Sequence, residues 1–137
     1  MKIILDTNIW ISGLLIPTSK AGTVLNAWRA AKFDIVTSEP ILNEIQKVLL
    51  YPKIKKRLQW NAFQVEEYLL HLKFFTQLVN IEHPNNHSFS IRDPNDLMIL
   101  ETWNASHADH IVTGDIDLLV LQDQYPILTL TDFFNML

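Results

Sequence analysis

The sequence predicts one α/β domain on a mainly parallel sheet with helices on both faces. Three observations carry that prediction. Short apolar runs alternate with longer stretches of helical periodicity. Capping residues and prolines mark the breaks between them. No linker, internal repeat or low-complexity tract divides the 137 residues, and at 48% hydrophobic and 19% charged the chain can fill one core. Strand–helix–strand connections in one sheet are right-handed, which makes the strands parallel neighbours.

The elements follow in order. Ile3-Ile4-Leu5 is a short continuous apolar run, suited to a strand covered on both faces. Ser19 is placed to cap a helix to about Lys32, with Val24, Leu25 and Trp28 on one stripe. Asp34 to Thr37 reads as a second strand. Ser38 then caps a helix with Pro40 in its first turn and Ile41, Leu42, Ile45, Val48 and Leu49 on its inner face. Pro52 ends that helix, because proline lacks the amide donor and crowds its predecessor out of helical geometry. A short basic helix is expected from Pro52 to Leu58, and Asn61 caps a long one to about Phe75. Leu78 to Ile81 is strand-like, and His83 to Ser90, rich in Pro, Asn and Ser, is a loop. Asp93-Pro94 opens a helix to about Ala105. His110 to Thr113 is a strand stopped by Gly114, and Ile127 to Thr129 is the last strand before a C-terminal helical turn.

Composition bounds the function. No apolar stretch approaches the ~20 residues that span a bilayer, and Asp6 interrupts the first apolar run too early for a signal peptide, so no membrane association is expected. The absence of cysteine removes disulfides, thiol catalysis and cysteine-based zinc sites, and fits a cytoplasmic protein. Eleven basic against 15 acidic residues leave a net charge of −4, which taken alone argues against a nucleic-acid binder. The charges are segregated, however. From Arg92 to Asp123 the acids are Asp93, Asp96, Glu101, Asp109, Asp115, Asp117 and Asp123, with Arg92 the sole Lys or Arg. Lys47, Lys53, Lys55, Lys56 and Arg57 form a run without acids. A protein that holds metal with carboxylates and a polyanion with cations would have this distribution; so would an ordinary solvated surface.

The acids recur at one edge of the expected sheet. Ligand sites in open parallel sheets form beyond the carboxyl ends of the strands. Asp6 directly follows the first strand, Asp115 and Asp117 follow the strand ending at Thr113, Glu44 lies in the second turn of the helix launched from the second strand, and Asp96 lies in the first turn of its helix. At 100° per residue Asp96 shares a face with Ile99, Leu100 and Trp103, so it points inward, where an unpaired charge is costly. Glu44 borders the stripe of Ile41, Ile45 and Val48 and reads equally well as a surface glutamate. Thr7 and Asn8 offer neutral oxygens beside Asp6. Hard divalent cations such as Mg²⁺ and Mn²⁺ prefer carboxylate and water oxygens, so the pattern proposes metal-assisted hydrolysis of a phosphodiester.

Ile3-Ile4-Leu5-Asp6-Thr7-Asn8-Ile9, Glu44, Asp93-Pro94-Asn95-Asp96 and Val112-Thr113-Gly114-Asp115-Ile116-Asp117 resemble the PIN-domain family, closest to the bacterial VapC-like toxins of toxin–antitoxin pairs. The resemblance spans essentially the whole chain, 1–137, as a single PIN-like domain with a three-layer α/β/α fold. It implies a Mg²⁺- or Mn²⁺-dependent endoribonuclease that attacks RNA with water in line with the leaving oxygen. Asp6, Glu44, Asp96 and Asp115 match the family's four acids, with Asp6, Asp96 and Asp115 as leading metal ligands and Glu44 as a ligand or the orienter of one. Asp117 matches an auxiliary acid, and Thr7, Asn8 and Thr113 match polar neighbours of the site. Asp93 matches an acid of the Asp-Pro motif and reads first as a helix cap. The family also implies a cognate antitoxin and a homodimer as partners.

Among the remaining residues, Lys53, Lys55, Lys56 and Arg57 are the candidates for phosphate contacts. Trp10, Trp28, Trp60 and Trp103 read as core or interface anchors rather than base-stacking platforms, with Trp10 the one whose place near the Asp6 turn could reach a substrate or partner. The five histidines are scattered with no inward H-x-x-x-H pair. Two alternatives stand beside the nuclease: a non-catalytic PIN-like RNA- or protein-binding module, and a phosphotransfer enzyme with an Asp nucleophile. Asp6-Thr7-Asn8 lacks the second acid that the latter needs.

Overall fold

A computed structural model describes residues 1–81 and 94–137. Its sheet is all parallel: β1 (Lys2–Leu5), β2 (Asp34–Ser38), β3 (Gln77–Val79), β4 (His110–Thr113) and β5 (Ile127–Thr129), in the order β3-β2-β1-β4-β5. The helices are α1 (Thr7–Leu15), α2 (Lys20–Arg29), α3 (Glu39–Leu49), α4 (Pro52–Leu58), α5 (Ala62–Phe75), α6 (Pro94–Ser106), α7 (Ile116–Leu119) and α8 (Leu130–Met136). This is the expected three-layer α/β/α architecture. The loop expected from His83 to Ser90 lies outside the described residues, as does Asp93.

β1 is the central strand, and Ile3, Ile4 and Leu5 are almost wholly buried because both its faces are covered. Burying each such side chain contributes about 1.5–3 kcal/mol. On the helical side α1 packs on α2 and α3, α2 on α8, and α3 on α5, while α6 lies across β1, β2 and β3. The chain leaves β1 toward β2, whereas β4, on the other side of β1, is reached through α6. The carboxyl ends of β1 and β4 therefore flank a topological switch point, where open α/β sheets form their ligand crevices.

Several local expectations need correction. Ser38 does not cap α3: its hydroxyl pairs with that of Thr102 at 2.7 Å, a buried link between β2 and α6. α2 ends at Arg29 rather than near Lys32, because Ala31 adopts the left-handed region (φ 59°) that halts a right-handed helix. The segment after Asp6 is no simple turn but the helix α1, and a short α7 follows Asp115. Other caps behave as expected. Ser19 accepts from the Gly22 amide, and Asn61 and Gln64 form a reciprocal capping box.

α1 meets α2 at very short range. A Cβ on Gly22 would overlap the backbone of Pro17, and one on Gly13 would press on Leu25. Trp10 is 1% exposed and packs edge-on against Trp28, ring centroids 5.3 Å apart. It is a core residue, the reading the sequence favours for all four tryptophans, and its burial leaves it no reach to a substrate.

Candidate active site

The site begins with register. Leu5 pairs with Val112, which sets Asp6 beside Thr113 at the ends of β1 and β4. The Thr113 hydroxyl donates to Asp6 Oδ2 at 2.7 Å and accepts from the Asp115 amide at 2.9 Å. Asp115 Oδ1 in turn accepts from the Asp117 amide at 2.9 Å, which makes Asp115 the cap of α7. One buried threonine thus couples the carboxylate of one strand to the turn that carries the acids of the next. Asp6 is 8% exposed and Thr113 fully buried, so the bond between them is shielded from water.

α6 supplies the third segment. Asp96 is 3% exposed, as its place on the Ile99–Leu100 stripe requires. One carboxylate oxygen each from Asp96, Asp115 and Asp117 lies within 4.8 Å of the others. At an effective dielectric of about 20, two unit charges at that separation repel by about 3 kcal/mol before solvent screening. A divalent cation removes that repulsion, and an all-oxygen donor set suits Mg²⁺ or Mn²⁺ better than softer metals. Thr7, next to Asp6, keeps a buried hydroxyl with no hydrogen-bond partner among the described residues, a further oxygen of the same kind. The residues present therefore fit a hard divalent ion.

The remaining candidates are placed differently. Asp6 reaches the three-acid group through Thr113 rather than as a member of it. Glu44 is half-buried on α3 and is not part of the group either, although α3 packs against both α1 and α6. Asp93 lies outside the described residues. Lys53, Lys56 and Arg57 are exposed and Lys55 half-buried on α4, which starts beyond the far end of α3. Eleven helical residues separate that end from the strand edge by about 16 Å. These cations flank the acids at a distance and do not line their cleft.

Asn8 is exposed at the start of α1 and lines a cleft of about 730 Å³ together with Asp115 and Asp117. Ser12, Ile116 and Leu130 also line it, and sequence reasoning missed all three. Ser12 was findable: it stands four residues after Asn8, on the same helical face once α1 is recognised. Of the histidines, His71 packs on Phe75, His107 stacks on Trp103, and His110 starts β4. His83 and His87 lie outside the described residues. Among the described residues no helix is long and apolar enough to cross a membrane.

Comparisons with known proteins bear on the fold and the family. In fold, the chain is similar to a chain in the crystal structure of VapBC2 from Rickettsia felis bound to a DNA fragment from their promoter. The TM-score is 0.61 over 94% of this chain and 98% of that one, at 17% identity. In sequence, it is 34% identical over 124 residues to the uncharacterized protein MJ1680 of Methanocaldococcus jannaschii, covering 90% of this chain and 77% of that protein. The PIN domain family model matches residues 2–117, a span that contains every acid of the site, and the chain belongs to the PIN-domain family.

Proposed function

We propose that this protein is a Mg²⁺- or Mn²⁺-dependent endoribonuclease that acts in the cytoplasm as the toxin of a toxin–antitoxin pair. The observation that carries the reading is the meeting of Asp96, Asp115 and Asp117 within 4.8 Å at the switch point, with Asp6 tied to the same turn through Thr113. Membership of the PIN-domain family, a family of nucleases, supports hydrolysis. The fold shared with a chain of the VapBC2 structure supports an antitoxin partner, and a homodimer is the expected assembly.

Asp96 and Asp115 are the proposed leading metal ligands with Asp6, Asp117 supports them, and Glu44 acts as a ligand or orients one. When bound, the divalent ion lowers the pKa of an attacking water and offsets charge on the leaving oxygen. The chain's own contribution is positional. Thr113 fixes the Asp6 carboxylate and the Asp115 turn through one hydroxyl, so neither must be ordered when substrate arrives. The buried position of Asp96 keeps water from screening its charge. Until the cation binds, the acids repel the phosphate backbone, so metal binding and RNA binding are coupled.

The test is RNA cleavage by the purified protein with Mg²⁺, Mn²⁺ or EDTA, alongside the Asp96→Asn protein. Cleavage in either metal, its loss in EDTA, and an inactive but folded Asp96→Asn protein are expected. EDTA-resistant cleavage, or an active Asp96→Asn protein, would overturn the reading. RNA affinity without turnover in either metal would favour a binding module instead.

A further inference from the structure

The cleft that Asp115 and Asp117 help to line carries two unlike kinds of side chain. On α1, Asn8 and Ser12 stand one turn apart and exposed, offering a primary amide and a hydroxyl. The same cleft is lined by Ile116, 73% exposed on α7, and Leu130, half-buried at the start of α8. Ile116 is flanked in sequence by the two acids, and its side chain stands open to solvent. Isolated exposed aliphatic residues are common and need no explanation. Here the residue lines a concavity of about 730 Å³ that also carries hydrogen-bonding groups, a volume within the roughly 300–1,000 Å³ range of ligand sites.

We propose that this cleft is a subsite for one unpaired nucleobase next to the scissile phosphate. The inference rests on the nuclease reading and deepens it. Charge decides what enters. With a cation held by Asp115 and Asp117 the scissile phosphate is drawn to the metal centre, and the rest of the cleft lining, which has no Lys or Arg to hold a second phosphate, is left to the neutral base. Chemistry decides how it is held. A base has apolar faces, which suit Ile116 and Leu130, and a polar edge of donors and acceptors, which suits the Asn8 amide and the Ser12 hydroxyl. A base that turns its edge into a side-chain cleft must be unstacked and unpaired, so the substrate is a single-stranded segment or loop. Ser12 and Ile116 are then specificity-determining residues for the base beside the cut.

Two measurements test this. In the first, the full-length protein is titrated with adenosine, cytidine, guanosine and uridine, which carry no phosphate, and followed by NMR. Shifts are expected at the Ile116 and Leu130 methyls and the Asn8 side-chain amide, strongest for one base. Ile116→Ser and Ser12→Ala should each weaken that base by roughly fivefold, the effect of one lost contact or hydrogen bond of ordinary strength. Both positions are exposed, and circular dichroism checks that the variants are folded. Shifts confined to other surfaces, or affinities unchanged in both variants, overturn the subsite. In the second, a random-sequence single-stranded RNA is cleaved and the ends are sequenced. Wild type should favour the same base at one position beside the cut, and Ile116→Ser should flatten that preference. Cleavage without any preference, or with one that both variants retain, overturns the subsite and leaves the nuclease standing. Nucleoside binding in the cleft without RNA cleavage in either metal overturns the nuclease reading alone.

Discussion

Replacing Thr113 by valine keeps the buried shape and deletes one hydroxyl, so it isolates the link between the two strand ends. Thr113 is fully buried, and its hydroxyl makes two bonds, to Asp6 Oδ2 at 2.7 Å and from the Asp115 amide at 2.9 Å. A hydrogen bond to a charged partner contributes about 1.5–3 kcal/mol and a neutral one about 1 kcal/mol. Removing both from a shielded site should cost about 3 kcal/mol, since valine fills the space but satisfies neither partner. Thr113→Ser is the control: it keeps the hydroxyl and loses one methyl, for about 1 kcal/mol. Urea unfolding at neutral pH followed by circular dichroism measures all three proteins. A valine variant within about 0.5 kcal/mol of wild type, the range of changes that touch nothing important, would refute the claim that this hydroxyl organises the site. So would a serine variant as unstable as the valine one.

Gly22→Ala should be destabilising although alanine is intrinsically better in a helix by about 1 kcal/mol. Its Cβ meets the Pro17 backbone, and overpacking of that kind costs about 1–3 kcal/mol or more, so thermal denaturation should show a lower midpoint and not a higher one. Burial pushes the Tyr68 phenol up to about 12 from 10.0, only partly offset by the nearby Arg29 charge. A raised folded-state value means that the stabilisation is fully present below pH 10 and is lost as pH rises toward 12, by about 3 kcal/mol in all. Tyr68→Phe should remove that alkaline loss, read as the difference between urea melts of the two proteins across this range. In the Asp96→Asn background, where RNA stays intact, Lys56→Gln with Arg57→Gln should lower the slope of log affinity against log salt by about 1.4, at ~0.7 per phosphate contact on a single strand. An unchanged slope would remove α4 from the RNA path.

The residues that were legible in the sequence are those whose environment repeats along the chain. Asp96 was readable as an inward acid because Ile99 and Leu100 mark the face it shares, and it is 3% exposed. The strand ends were readable because Asp6 and Asp115 terminate apolar runs. α1 was not. Nine residues buried on several sides show almost no polar face, so Thr7–Leu15 lacks the helical alternation that reveals α3. Missing that helix hid Ser12. The Thr113 bridge was also illegible, because it depends on which strands are neighbours. Asp6 and Thr113 are 107 residues apart, and no local pattern reports a pairing across that distance. Ser38 misled for a similar reason: it has the chemistry of a cap, but its hydroxyl is claimed by Thr102 from another element.

The Trp10–Trp28 contact gives the molecule a built-in optical reporter. Both indoles sit in the core, edge to face, one on the helix that starts at Asp6 and the other on the helix docked against it. Trp60 and Trp103 are only half-buried, so the emission of this pair stands apart as the component that quenchers reach last. Any event that tilts α1 against α2 changes the coupling of the two rings. Movement of the helix that starts at Asp6 can thus be followed in the unlabelled protein.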